Sequence, residues 1–340
     1  MRIIVATTYT IPAFSGGWTT PLDLFGDEHQ AMYVVRNSPV GKRIIEGVEC
    51  VGIGATAQAW KRGERYRHAL IQRTFGIVLE KSFHSFKADF ILCLDPLAGY
   101  AAMRSRLPYA MRFHSQLSQA DRNPPFSELM ENALFAISCP ETNIPETTVV
   151  PHNQDLSRFK YTESPQADRA LLLTSIDAIH EPELFIEGVM LSKHISGDIV
   201  GTGEDRKQIS KLCSQTRGRV RCLPPVPRLS VPELLGSYQI GVATVKRVSP
   251  VIYQMKVNAY MAAGLYTLAK PWTHIVSEAP ELVGTFTTAQ DLADQLDFLN
   301  ENWMETLKTR REARAWINTN YSVDIPRKLF REILNTVFPS

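Results

Sequence analysis

The side chains of this chain best suited to chemistry fall in one stretch, residues 241–271, GVATVKRVSPVIYQMKVNAYMAAGLYTLAKP. Lys246, Arg247 and Ser249 follow an apolar run, residues 240–245, short enough for a buried strand. Lys256 and Tyr260 come next, on residues 251–263, whose apolar positions recur at helical spacing until Gly264 ends them. Residues 265–269 read as a second strand. In an open parallel sheet, ligands bind beyond the carboxyl ends of the strands, where loop amides and helix N-termini attract anions. The chemistry implied is the holding of a phosphate-bearing ligand; a merely solvated basic loop would look the same from this segment alone.

Three further sets of residues fit such a site. Gly16 and Gly17 sit in a loop after a strand read over residues 2–8, an arrangement that serves anions and ordinary turns alike. His114 ends a strand read over residues 108–114; a lone histidine there is more often structural than catalytic. Gly203 closes a G-x-G turn after residues 197–203, with Glu204 opening the next helix, and G-x-G alone is a weak signal.

The elements that must position these groups alternate strand and helix. Strands are expected at residues 31–36, 48–53, 89–95 and 135–138, the first two separated by turn chemistry at Pro39 and Gly41. A long amphipathic helix over residues 64–86 carries or adjoins Lys61, Arg62, Arg65, Arg67 and Arg73, either the wet face of the helix or a patch for anionic lipid or polymer. Prolines and polar residues before a fresh apolar strand at residues 170–174 mark a domain boundary near Tyr161. The 340 residues therefore divide into an α/β domain at 1–160, a second at 161–320 and a closing helix at 321–340 that returns to the first.

Thirty-seven basic against 35 acidic side chains leave a net charge of +2, so the chain as a whole has no general attraction for nucleic acid or membrane. Five cysteines without CxxC or metal spacing fit a reducing cytoplasm, and no apolar segment reaches bilayer length. The residues expected are those of a cytoplasmic protein, with peripheral contact at the inner membrane face left open.

The wording KVNAYMAAG resembles the KxxEYMAAGxP segment of the donor domain of GT-B glycosyltransferases, above all the retaining family four: Lys256, Tyr260, Met261, Ala262, Ala263 and Gly264 match. VVPHNQDLSRF at residues 149–159 resembles that family's VIPNGVDxxxF connector, keeping Val149, Val150, Pro151, Asp155 and Phe159. The Gly16–Gly17 loop and His114 also stand where that family has its Gly-Gly loop and its strand-end histidine. The resemblance implies two Rossmann-like domains facing each other across a cleft, the first binding an acceptor and the second a nucleotide-sugar donor. It implies that His114 lines the active site and that Val226, in the LPPVP loop, backs the nucleotide base; Lys246, Arg247 and Lys256 are the cations available to steady the leaving phosphate, with Ser249 a further donor-binding candidate.

The chain departs from the pattern in places. Ala259 and Val251 stand where the family has glutamates, and TSIDAIHEPELF replaces its phosphate-binding Arg and Lys, leaving Ser175 and His180 as the nearest polar substitutes. Without a DxD-like cluster, no metal is expected. The expected partners are a nucleotide sugar and a glycan, lipid-linked or small-molecule acceptor. Alternatives are a sugar-nucleotide epimerase or hydrolase, a non-catalytic sugar-nucleotide-binding subunit, and a phage-type transferase acting on DNA bases, against which the near-neutral charge weighs.

Overall fold

The computed structural model of the chain describes residues 1–8, 16–35, 41–45, 48–53, 64–113, 126–140, 142, 144–151, 153, 155–161, 163 and 168–339. They form two compact units, Met1–Asn153 with Val323–Ser340, and Gln154–Ser322.

In the first unit, β1 (Arg2–Thr7), β2 (Gln30–Val35), β3 (Gly41–Ile45), β4 (Val48–Gly52), β5 (Phe90–Cys93), β6 (Tyr109–Phe113), β7 (Ala136–Ser138) and β8 (Thr148–Val149) form one sheet in the order β3-β4-β2-β1-β5-β6-β7-β8. The pairs are parallel except β3 with β4. Successive β1 residues go to opposite faces: Ile4 and Ala6 pack with Phe75 and Leu79 of α2 (Glu64–Phe86), while Ile3 and Val5 pack with Leu24 and Phe25 of α1 (Gly16–Phe25). α3 (Pro96–Arg104) follows β5, and α4 (Phe126–Glu131) precedes β7.

Three local expectations change. Gly16 and Gly17 open α1 rather than a loop, at positions where backbone N–H groups lack intrahelical partners. The turn expected between residues 36 and 48 contains β3, an edge strand whose Lys42 and Ile44 are exposed, so no buried apolar run announces it. The connector contributes β8, so the strand at residues 135–138 is not the last of its sheet. Of the basic set near α2, Lys61 and Arg62 lie outside the described residues and Arg73 is exposed.

In the second unit, β9 (Arg169–Leu173), β10 (Ser196–Val200), β11 (Val220–Leu223), β12 (Ile240–Ala243), β13 (Tyr266–Ala269) and β14 (Gly284–Thr285) form a parallel sheet in the order β11-β10-β9-β12-β13-β14. Between them run α5 (Pro182–Leu191), α6 (Arg206–Ser214), α7 (Val231–Leu235), α8 (Met255–Ala263) and α9 (His274–Glu278), followed by α10 (Ala289–Glu301) and α11 (Leu307–Asn320). Leu171 packs with α8 on one face, Ala170 and Leu172 with α5 and α10 on the other. Leu156 and Phe159 of the connector join the α8 side. Asp198 in the middle of β10 is fully buried and takes Arg169, Arg221 and Tyr238 as donors at 2.6–3.2 Å, stapling β9, β10 and β11.

The last helix, α12 (Asp324–Val337), belongs to the first unit, where Phe330 and Leu334 pack with Phe25 and Phe90. Cys50, Cys93, Cys139, Cys213 and Cys222 are all free thiols. Among the described residues, no helix is long and apolar enough to cross a membrane.

Candidate functional site

The strand order of the second sheet reverses between β9 and β12: the chain moves outward through β10 and β11, then returns and continues through β12 and β13. Such a reversal leaves the loops after its two central strands diverging, which opens a ligand crevice at their carboxyl ends. The sequence at this point is residues 174–181 after β9 and residues 244–254 after β12.

These two loops are tied to each other. Lys246 N donates to Ile179 O at 2.8 Å, and the Thr244 hydroxyl donates to His180 O. The loop after β10 closes on them from the other side. A Cβ at Gly201 would sit 1.7 Å from Thr174 O, and one at Gly203 would sit 2.1 Å from Ile176 O, so only glycine permits the approach. Gly203 therefore acts by making room for the backbone after β9.

Helix α8 delivers the central side chain. Residues 251–254 do not join it, because Ile252 is drawn into a parallel bridge with Thr273, its N–H donating to Trp272 O at 2.7 Å. The helix starts at Met255, with Gln254 at its cap, and ends at Gly264, whose φ of 84° is the left-handed stop glycine favours. Lys256 thus lies in the first turn, and its ammonium donates to Thr174 Oγ1 at 2.7 Å, across the β9–β12 junction. Among the described residues it forms no ion pair. Burial pulls its pKa down from 10.5 to about 7, opposed only by the more distant Asp177.

His180 stands in the same electrostatic neighbourhood. Its Nδ1 lies 2.8 Å from Asp177 Oδ1, which also accepts the N–H groups of Ile179 and His180. With Nδ1–H donating to that carboxylate, Nε2 remains available for a ligand. Burial, and then the charge of Lys256, lower the pKa of His180, while Asp177 raises it. Ser175, next to Thr174, is exposed. The junction thus offers a half-buried ammonium, a titratable imidazole, an exposed hydroxyl and the N-terminus of a nine-residue helix, an arrangement that holds anionic oxygen.

The remaining candidates are placed as follows. Lys246 and Arg247 are exposed on the loop after β12, and the Ser249 hydroxyl donates to Val251 O at 2.5 Å. Val226 is half-buried after β11, against the α8 side of the core. Tyr260 has no exposed surface; its hydroxyl accepts from Leu173 N at 2.8 Å and donates to Val242 O at 3.4 Å, so it joins β9 to β12 and has no face left for a ligand. Ala259 is buried in the core beside it and Val251 is exposed, so neither position where the resemblance expects an acid carries one. His114 lies outside the described residues. Gly16 and Gly17 belong to the first unit.

No sequence motif pointed to three buried residues, two in this region and one in the first unit. Lys270 directly follows β13, almost fully buried, donating to Thr287 O at 2.6 Å and facing Glu181 at 3.9 Å and the Trp272 and Phe286 rings. His274 is buried beneath the start of α8. Asp95, in the first unit, occupies the corresponding junction of that sheet. Each is defined by long-range contacts that no local spacing encodes. Among the described residues, no group of three or more His, Cys, Asp or Glu could hold a metal ion.

No protein-family model matches the chain, and no curated protein matches it in sequence. Solved structures do match. HepE from Anabaena in complex with UDP and glucose shares 13% identity at a TM-score of 0.72, covering 99% of this chain and 100% of that one. Sucrose-phosphate synthase from Thermosynechococcus elongatus shares 11% at a TM-score of 0.72, with 99% of each chain covered. The trehalose-6-phosphate synthase OtsA shares 10% at a TM-score of 0.72, with 100% of each chain covered. At these identities the likeness fixes architecture. With two Rossmann-like units, one built on a parallel sheet and the other on a sheet parallel but for one edge pair, this chain has the GT-B fold.

Proposed function

We propose that the chain is a glycosyltransferase that takes a sugar from a nucleotide-sugar donor and passes it to an acceptor hydroxyl, with the donor held by the second unit. The observation that carries this reading is Lys256: a half-buried ammonium without an ion-pair partner among the described residues, set at the β9–β12 junction in the first turn of a helix. A cation left this way lacks the charge that would complete it, and a diphosphate supplies one. The structures this fold resembles include complexes with UDP, UDP-glucose and UDP-2-fluoro glucose.

In this reading the Lys256 ammonium and the N-terminus of α8 offset the negative charge that grows on the diphosphate as the sugar leaves, and His180 joins them when the diphosphate itself favours a second proton on its ring. Ser175 adds a hydroxyl donor, and the exposed Lys246 and Arg247 draw the donor in without fixing it. Val226 backs the base, and the roles that the resemblance gives His114 toward the sugar and Gly16 and Gly17 toward the donor phosphates are carried over with it. Transfer proceeds with retention and without a bound metal. The acceptor is a glycan, a lipid-linked sugar or a small molecule.

A second reading is favoured by one observation: α8 carries no acid where the resemblance expects one, Ala259 being packed in the core. It makes the chain a sugar-nucleotide-binding subunit without turnover. A panel of UDP-, GDP-, ADP- and CMP-sugars separates the two. Binding by calorimetry together with acceptor-dependent nucleotide release supports the transferase, binding without release under any acceptor supports the subunit, and no binding by any member refutes both. Including EDTA tests metal independence.

A further inference from the structure

His274 lies outside the motifs that brought attention to this region, yet its ring bonds residues that precede and follow Lys256 in the chain. It is the first residue of α9 and is 1% exposed. Its Nδ1 accepts the N–H of Gln254 at 3.2 Å, so that nitrogen carries no proton. The proton is therefore on Nε2, which donates to Asn258 Oδ1 at 3.0 Å. The ring stacks on Tyr253 with centroids 4.0 Å apart and meets Tyr321 edge-on at 5.6 Å. Its own N–H donates to Ile252 O at 2.9 Å. One residue thus holds positions 252, 253, 254 and 258, which bracket Lys256 before and after the first turn of α8.

We propose that His274 is a positioning residue: it locks the first turn of α8 so that the Lys256 ammonium is held at Thr174, in place for the donor diphosphate. Resting on the donor reading above, the inference adds a residue that never touches the ligand. The geometry needs the neutral imidazole, since a second proton on Nδ1 would displace the Gln254 N–H. Burial supplies this by lowering the pKa of His274 to about 4, against the opposing backbone contact at Ile252. The other polar groups of the network are the Tyr253 and Tyr321 hydroxyls and Glu278, which accepts from Tyr321 at 2.7 Å. Those facing Lys256 are Thr174, Asp177 and His180 of the loop after β9.

A double-mutant cycle read by calorimetry with UDP tests this in the full chain at pH 6.5. His274→Phe keeps an aromatic ring against Tyr253 and removes both ring hydrogen bonds. It should weaken UDP about tenfold in the native background and less than about twofold when Lys256→Ala is already present, because coupled residues fail to add. Asn258→Leu, which removes only the Nε2 partner, should show the same pattern at about threefold, and it supplies the cycle if the first variant does not fold. His274→Phe should also raise the pH at which UDP binding falls off, since a loosened Lys256 regains water, whereas a purely structural loss leaves that midpoint in place. Equal losses in both backgrounds with an unmoved midpoint overturn the role of His274 while leaving the donor site intact. UDP binding that Lys256→Ala does not weaken overturns the donor reading and this inference with it; a native chain that binds no UDP is carried through the same cycle with the nucleotide of the panel that it does bind, and no binding by any of them has the same outcome.

Discussion

The two sheets of this chain each reverse their strand order once, and the two reversals carry opposite kinds of charge. In the first unit, between β1 and β5, Asp95 accepts from the Thr7 hydroxyl, the Thr8 N–H and hydroxyl and the Ala98 N–H, all at 2.7–3.0 Å. In the second, between β9 and β12, Lys256 has one hydroxyl partner among the described residues. Burial raises the pKa of Asp95 and its four donors pull it back, so its charge is consumed inside the protein. Burial lowers the pKa of Lys256 with little to oppose it, so its charge is left over. The same position in the same topology serves as a staple where the bonds are complete and as a site where they are not. The lesson extends to Tyr260, a motif residue whose hydroxyl is wholly spent on two strand ends.

The largest expected effect tests the staple. Asp95→Ala strands four donors in a buried setting and should cost roughly 3–5 kcal/mol, read by urea denaturation. A loss below about 1 kcal/mol would break the contrast by showing those bonds to be dispensable.

Stability against pH sharpens the other half. The folded pKa of Lys256, about 7, lies below its unfolded value of 10.5, so between those limits the unfolded state binds more protons and stability rises with pH. Lys256→Met should flatten this rise by about 2–4 kcal/mol, a figure already discounted for partial exposure. An unchanged pH profile in the variant would mean the lysine is solvated like any surface one.

Ligand binding comes next in size. Lys256→Ala should weaken UDP by about 2 kcal/mol at pH 6, roughly thirtyfold, without lowering stability, as expected for a charged donor on phosphate. Tyr260→Phe should do the reverse on a smaller scale, costing about 1 kcal/mol of stability with UDP affinity unchanged. Lost UDP binding in that variant would return Tyr260 to the site.

Much of the fold could be read from residue patterns, because buried parallel strands such as residues 170–174 and 240–245 are continuous apolar runs and the helices between them are bounded by Gly and Pro. The edge strand β3 escaped, as Lys42, Arg43 and Ile44 alternate too weakly to mark a half-buried face. At the site, Lys256 was legible from the motif it shares. Which of its neighbours were free to act was not: Tyr260 and Lys256 lie one turn apart on α8, and only tertiary packing makes one spent and the other available. His274, Lys270 and Asp95 depend on partners from 16 to 88 residues away, beyond any local signal.

The account stands on a charge at Lys256 that has no ion-pair partner among the described residues, and that charge can be titrated. NMR of the full chain with labelled lysine, resonance assigned by Lys256→Arg, should show Lys256 Nζ titrating near 7 and moving upward by at least about one unit when UDP is added. A Lys256 that titrates near 10, indifferent to UDP, would contradict it.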